Sequence, residues 1–444
     1  MVTGIPLLLI IFIAIAFIVV SSAYWKLHPF VGLILASVGV GLAVGVPLPA
    51  VIKSINSGFG GLMGYIGLIV VFGSIIGVIL ERSGAAMKIA DLVLNLVGKK
   101  RPALAMSIIG ATVSIPVFCD SGFIILSGLN KALAKRSKAK EATLALALAS
   151  GLYTTHTLIP PTPGPIAAAG NIGAGDYIGM IMLIGFLVAI PTAIAAFVFS
   201  IKRGPAIEVD LTSTYETASE NMPSALRSIA PILIPILLIA SASVVNLLQM
   251  KGQWVDWLQF LGHPLVALLI GLLISFSLFK KMDQAHLTGW VGEGIKLAGP
   301  ILIVTGAGGA FGGVLKATPI AEMVGAWVAG GEFSGSAFLI IAFLIAALLK
   351  TSQGSSTNAL VITSSMLAPL VVTLGFESPF EMALIVMAIG GGAMTVSHAN
   401  DSYFWVVSQF SGISMRDAYR SFTLMTGLQG LIVLLMTLLL YWLF

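Results

Sequence analysis

The sequence predicts an all-α polytopic membrane protein: an inverted repeat of two five-helix units, each with a re-entrant hairpin and a discontinuous helix. Three observations predict it. Of 444 residues, 58% are hydrophobic and only 9% charged, against roughly 25% charged in an average soluble domain, and mean hydropathy is +1.05. Charge-free apolar stretches recur from one end of the chain to the other, and segments of the first half return in the second at a fixed offset. No water-soluble globule can hide this much apolar surface, so lipid is the solvent for most of it.

Eight runs free of Asp, Glu, Lys and Arg cover residues 4–22, 29–51, 58–80, 177–201, 228–250, 257–279, 297–315 and 421–444. At about 1.5 Å per helical residue, such runs cross roughly 30 Å of hydrocarbon. The first lacks the basic flank of a signal peptide and is expected to be a retained span. Residues 139–175 and 378–415 are too long for one simple helix and are interrupted by prolines or polar clusters, as discontinuous helices are. They bring the expected crossings to ten. Residues 102–135 and 334–374 are apolar arms around polar tips, VFCDSG at 117–122 and KTSQGSSTN at 350–358. Each tip fits a re-entrant hairpin or a pair of short spans.

Charge favours the hairpins. With both ends of the first one inside, Arg82, Lys88, Arg101, Lys131 and Lys140 share the cytoplasmic face with Lys202, Arg203, Arg227, Arg416 and Arg420. Lys53, Lys251 and Lys316 fall outside beside Glu322, Glu332 and Glu377, which satisfies the positive-inside rule. Both termini are then extracytoplasmic and the protein sits in the cell's inner membrane. His156 pairs with His398, Gly170 with Gly412 and Tyr177 with Tyr419, all at a spacing of 242. Five crossings per unit is an odd number, so the second copy is inverted, a transporter architecture. The units are residues 1–201 and 228–444, joined by a polar cytoplasmic linker, 202–227.

A charge near the bilayer centre costs roughly 2.5–3.5 kcal/mol on insertion scales, so polar residues stranded in apolar segments are functional candidates. These are Asp120 at the first tip, Lys350 at the second, and His156, His398, Asn400 and Asp401 at the two helix breaks. Ser121, Gly122, Gln353, Gly354, Ser355, Ser356 and Thr357 complete the tips. A half-helix ending inside the membrane turns unpaired N–H groups and a positive dipole end toward the gap, which suits an anion. Lys350 and the hydroxyl-rich tip are assigned to a substrate carboxylate. Asp120, His156, His398 and Asp401 are the candidates for moving a coupling proton; Asp120 holding Na⁺, or neutralising Lys350, fits the sequence equally. Four prolines in HTLIPPTPGP, residues 156–165, forbid a continuous helix there.

Other classes fall away. A net charge of +5 and a pI near 9.2 come from short segments between spans, not from a patch, so no nucleic-acid partner is expected. The single cysteine, Cys119, forms no internal disulfide and reads as a small filler. The glycine clusters at 306–313 and 390–393 lack the Lys-Ser/Thr of a phosphate loop and suit close helix packing. No HExxH or GxSxG pattern marks an intramembrane enzyme, and no metal or cofactor is expected. A passive anion channel is less suited to inverted repeats than alternating access.

Four segments carry a resemblance: IPVFCDSGFIILSGLNKALAKR (115–136), YTTHTLIPPTPGPIAAAG (153–170), LLKTSQGSSTNA (348–359) and SHANDSYFWVVSQF (397–410). In order and over essentially the whole chain, they resemble the gluconate permease family of proton-coupled sugar-acid transporters. The resemblance implies uptake of gluconate or a related hydroxy acid with H⁺, a homodimer, and an elevator motion of the hairpin-bearing domain. It implies that the two tips and two breaks form the substrate and ion site. The acidic tip residue, often Glu in gluconate-transporting members, is Asp120 here, which leaves glycerate, other short hydroxy acids or a D-amino acid open.

Overall fold

The structure is a computed structural model that describes residues 1–98, 101–115, 117–137, 139–209, 222–247, 250–279, 281, 283–320, 322–323, 335–398 and 401–444. Its helices are α1 (Ile5–Ala23), α2 (Pro29–Val44), α3 (Leu48–Arg82), α4 (Ala85–Val97), α5 (Pro102–Val113), α6 (Cys119–Ser137), α7 (Glu141–Leu158), α8 (Pro163–Asn171) and α9 (Ile178–Arg203). There follow α10 (Ala225–Leu247), α11 (Gln253–Gly262), α12 (Pro264–Ser275), α13 (Val291–Lys316), α14 (Gly335–Gln353), α15 (Ser356–Val371), α16 (Pro379–Met394), α17 (Ser402–Ser411), α18 (Met415–Ala418) and α19 (Leu424–Leu443). Among the described residues the β pairing is a single isolated bridge, Val209 to Ile413.

Local chemistry sets the boundaries. Proline stands in the first turn of α2, α5, α8, α12 and α16, where its missing N–H leaves no helical bond unmade. Gly45 ends α2 at φ +80°, the left-handed stop that glycine tolerates. Ser378 and Glu381 start α16 with reciprocal side-chain bonds to each other's backbone N–H.

Among the described residues five helices are long and apolar enough to span a bilayer outright, and seven if each of two bent pairs is one span. The difference from ten expected crossings has a physical reason. The run at 257–279 is two helices bent by 65° at His263, whose ring Nδ1 accepts from the Leu265 N–H while Pro264 restarts the chain. Several other apolar helices, such as α2, α5 and α15, have fewer than 18 residues and extend less than the roughly 30 Å of hydrocarbon. An amphipathic helix the apolar runs did not announce, α4, packs on α5 and α10.

α7 and α16 form the centre. Every residue of α7 is buried, as is all of α16 from Met382 onward, the pattern of helices surrounded on all sides by other helices. α5 lies on α7 through Gly110 and Gly151; a Cβ at Gly151 would stand 2.0 Å from the Ser107 carbonyl oxygen. α14 lies on α16 at Gly392, 2.1 Å by the same measure from the Phe343 carbonyl oxygen. α3 and α13 run antiparallel, with Gly58 against Gly309 and Gly313 against Ser54. The opposite end of this pair carries a two-pronged ion pair between Arg82 and Glu293. The glycines at 306–313 and 390–393 thus serve close backbone packing.

Candidate binding site at the helix breaks

The two central helices each stop short and hand over to a second helix. α7 ends at Leu158, and after Ile159 to Thr162 the chain restarts as α8. Prolines 160 and 161 supply no N–H to continue α7, and Thr162 Oγ1 donates to the Ile159 carbonyl across the gap at 2.7 Å. α16 ends at Met394 and α17 begins at Ser402, with Asp401 as its N-cap, accepting from the Tyr403 N–H at 3.1 Å. Between α14 and α15 lies the second tip, where Gly354 takes φ +76°. Ser355 caps α15 by accepting from the Asn358 N–H at 3.2 Å.

The tip and the second break meet in an ion pair. Lys350 is fully buried, and its Nζ donates to Asp401 Oδ2 at 2.5 Å and to the Gly354 carbonyl at 3.0 Å. It also stands 5.6 Å from the centre of the Tyr153 ring. Ser397 donates to the same Asp401 oxygen. The second tip and the second break are therefore tied together by a neutral pair, and the carboxylate facing Lys350 belongs to Asp401, not Asp120.

Asp120, at the start of α6, lies against Ser402 and within electrostatic range of Asp401 and Lys350. Its Oδ1 is buried with no hydrogen-bond partner among the described residues. His156 is buried beside the Phe118 ring, within range of Lys350 and Asp401, and its Nδ1 has no partner either. Both polar atoms of the Gln353 amide are in the same condition. Buried polar groups in native structures are nearly always paired, and those that are not call for an explanation.

The remaining candidates sit around this group. Ser356 shares a 2.7 Å hydrogen bond with the Tyr153 hydroxyl, and Thr357 backs onto Gly164 at the start of α8. Gly122 packs under Leu152, while Ser121 hydrogen-bonds Glu81 of α3. His398 is half-buried, with Nε2 2.9 Å from the Thr351 carbonyl oxygen. Asn400 lies outside the described residues.

Residue-type reasoning passed over several contributors. The Tyr153 and Tyr403 rings meet at a tilt of 38° with centroids 5.2 Å apart, and the Tyr403 hydroxyl donates to the Ala149 carbonyl. In an apolar run, each reads as packing. Ser397 is anchored by Thr423 and Thr426. Val396 adopts φ +56°, an outlier for a β-branched residue that costs about 1–3 kcal/mol and gathers at functional sites. No sequence signal announces it. Among the described residues no cluster of His, Cys, Asp or Glu is placed to hold a metal ion.

Comparison with known proteins shows the family to which the chain belongs. The GntP family permease model matches residues 6–443. A gluconate permease of Pseudomonas aeruginosa is 30% identical over 98% of this chain and 97% of its own. A gluconate permease of Bacillus subtilis is 32% identical over 90% and 91%, and the inner membrane permease YgbN of Escherichia coli is 32% identical over 93% of each. In fold, the chain is similar to the Alcanivorax borkumensis YdaH transporter, described as having an unusual topology, at a TM-score of 0.67 and 14% identity over 94% of this chain and 98% of that one. A match that runs nearly end to end, on a helical body whose polar residues gather at two broken helices, makes the chain a multi-pass membrane transporter of the GntP permease family.

Proposed function

We propose that the protein imports gluconate or a closely related small hydroxy-carboxylate by proton symport. The observation that carries this reading is the buried Lys350–Asp401 pair, bordered by unpartnered polar atoms of Asp120, His156 and Gln353. One cation is held neutral by one carboxylate. A substrate carboxylate can take the place of Asp401 beside Lys350 only if Asp401 accepts a proton, because two carboxylates around one buried ammonium leave an uncompensated charge. Substrate anion and proton therefore enter together. The N-termini of α8 and α15 add positive dipole ends at the same place, and Asp120, His156 and Gln353 are left for substrate hydroxyls.

The gluconate permeases among the relatives support the substrate class. The pairing of repeat-related breaks supports two inverted units, residues 1–201 and 228–444, with hairpins 102–135 and 334–374. Family resemblance supports a homodimer in the inner membrane, both termini extracytoplasmic, and an elevator motion that carries the tips and breaks across.

The test is uptake into proteoliposomes. Labelled gluconate should accumulate when the outside is acidified, glycerate and a D-amino acid serving as competitors, and Lys350→Ala or Asp120→Asn should abolish it while leaving insertion intact. Accumulation driven by a Na⁺ gradient at matched pH, with none driven by protons, overturns the proton assignment.

A further inference from the structure

Residues 395–398 leave α16 without helical structure, and what holds them is a helix from which no functional candidate came. α18 and α19 belong to one continuous helix, Met415–Leu443, joined by a π turn over Tyr419–Thr423. A π turn carries one residue more than an α-helical turn, and such insertions gather at functional sites. Here three residues in and just after it meet the second break. The Phe422 ring lies 5.4 Å from the Tyr403 ring. Thr423 Oγ1 donates to the Ser397 carbonyl at 2.6 Å, and the Ser397 N–H donates to Thr426 Oγ1 at 3.0 Å. The Thr426 hydroxyl is itself fixed by donating to the Thr423 carbonyl at 2.9 Å.

Both polar groups of the Ser397 backbone are thus bonded to one helix, immediately after Val396 at φ +56°. Ser397 and Thr426 are fully buried, so water does not replace the bond between them. Fixing this backbone fixes the side chain. Ser397 Oγ donates to Asp401 Oδ2, the oxygen that also faces Lys350. A donated hydrogen bond favours a carboxylate in its ionised form. Once Asp401 carries a proton, the same hydroxyl oxygen can accept it, because serine offers one donor and two acceptor positions.

The other titratable groups that bear on Asp401 are Lys350 of α14, Cys119 and Asp120 of α6, Tyr153 and His156 of α7, and Tyr403 of α17. Half-buried His398, in the break itself, accepts from the Asp401 N–H through its carbonyl. α19 carries no charged residue, and Arg420 of the π turn is exposed. This helix therefore acts on Asp401 through Ser397 and through packing. We propose that Thr423 and Thr426 are positioning residues for the coupling proton: they hold Ser397 where its hydroxyl sets how readily Asp401 is protonated. The inference deepens the transport reading above, in which Asp401 takes up the proton, and adds to it residues 26 and 29 positions beyond Ser397.

The test follows Asp401 across pH by two readouts: uptake of labelled gluconate into proteoliposomes and, in purified protein, the infrared band of the protonated carboxyl that Asp401→Asn abolishes. Ser397→Ala should move both midpoints to higher pH by about one to two units, the contribution of one hydrogen bond to a charged group. Thr423→Val/Thr426→Val should move them the same way, and no further when combined with Ser397→Ala. Thr423→Ser/Thr426→Ser should keep the wild-type midpoints. If the double valine variant does not fold, Thr423→Val alone, at a half-buried position, carries the same test. Wild-type midpoints in the valine variants, with only the unfolding temperature lowered, overturn the positioning role. Infrared midpoints that move as expected in a protein whose uptake does not depend on pH sustain the positioning of Asp401 and overturn proton symport alone.

Discussion

The Lys350–Asp401 pair admits a clean perturbation, because asparagine caps a helix as well as aspartate does. Asp401→Asn therefore removes the charge and keeps the start of α17. Lys350 is fully buried and the Asp401 side chain only 5% exposed. Lys350→Met leaves the carboxylate with the Ser397 hydroxyl and the Tyr403 N–H, and Asp401→Asn leaves an ammonium with the Gly354 carbonyl. Each single change should cost about 3–5 kcal/mol, the price of one uncompensated buried charge. The double variant carries neither charge and should recover most of that loss, giving a coupling energy of at least about 3 kcal/mol in a double-mutant cycle. The measurement is unfolding of the four purified proteins in one detergent. Gluconate should then stabilise Asp401→Asn more than wild type, since the substrate supplies the missing anion. Single losses that simply add in the double variant, to within about 0.5 kcal/mol, would refute the reasoning.

Four further outcomes are expected. Tyr153→Phe removes the hydroxyl shared with Ser356 and should cost about 1 kcal/mol, read as a modest fall in unfolding midpoint together with a raised KM. Gly151→Ala places a methyl against the Ser107 carbonyl oxygen and should lower stability by about 1–3 kcal/mol through displacement of α5; an unchanged midpoint argues against the packing described. Val396→Pro, which cannot reach φ +56°, should abolish folded protein in size-exclusion chromatography, whereas Val396→Gly should keep it. Ser378→Ala breaks the capping box of α16 far from the ion pair; it should lose about 1 kcal/mol with KM unchanged.

Apolar runs made the helical, membrane-embedded class and most helix positions legible, because burial in lipid needs nothing beyond composition and length. What they concealed are features that cost no polar residue. The bend at His263 sits inside an unbroken apolar run, betrayed only by the His-Pro step. α4 mixes Lys88, Asp91 and Asn95 among apolar residues, so no charge-free window found it. Lys350 and Asp401 were each conspicuous as charges stranded in lipid, but their pairing joins positions 51 residues apart and is a property of the packed bundle. Tyr153 and Tyr403 were invisible for the opposite reason, since an aromatic in an apolar run is ordinary until its hydroxyl is seen to have a partner.

The arrangement also bounds what coupling the proposed mechanism can support. Lys350 and Asp401 sum to zero charge, and the surroundings are apolar enough that any departure from zero is expensive. A site built on this pair tolerates two states: empty with Asp401 ionised, or filled by one carboxylate with Asp401 protonated. Both are neutral, so the step that crosses the membrane moves no net charge, and one proton accompanies one monocarboxylate. A dianionic acid would need a second proton acceptor within reach, and among the described residues the buried carboxyl beside the pair with an unpartnered oxygen is Asp120. Selectivity for monocarboxylates over dicarboxylates thus follows from how few acids surround Lys350, independently of the shape of the substrate's hydroxylated tail.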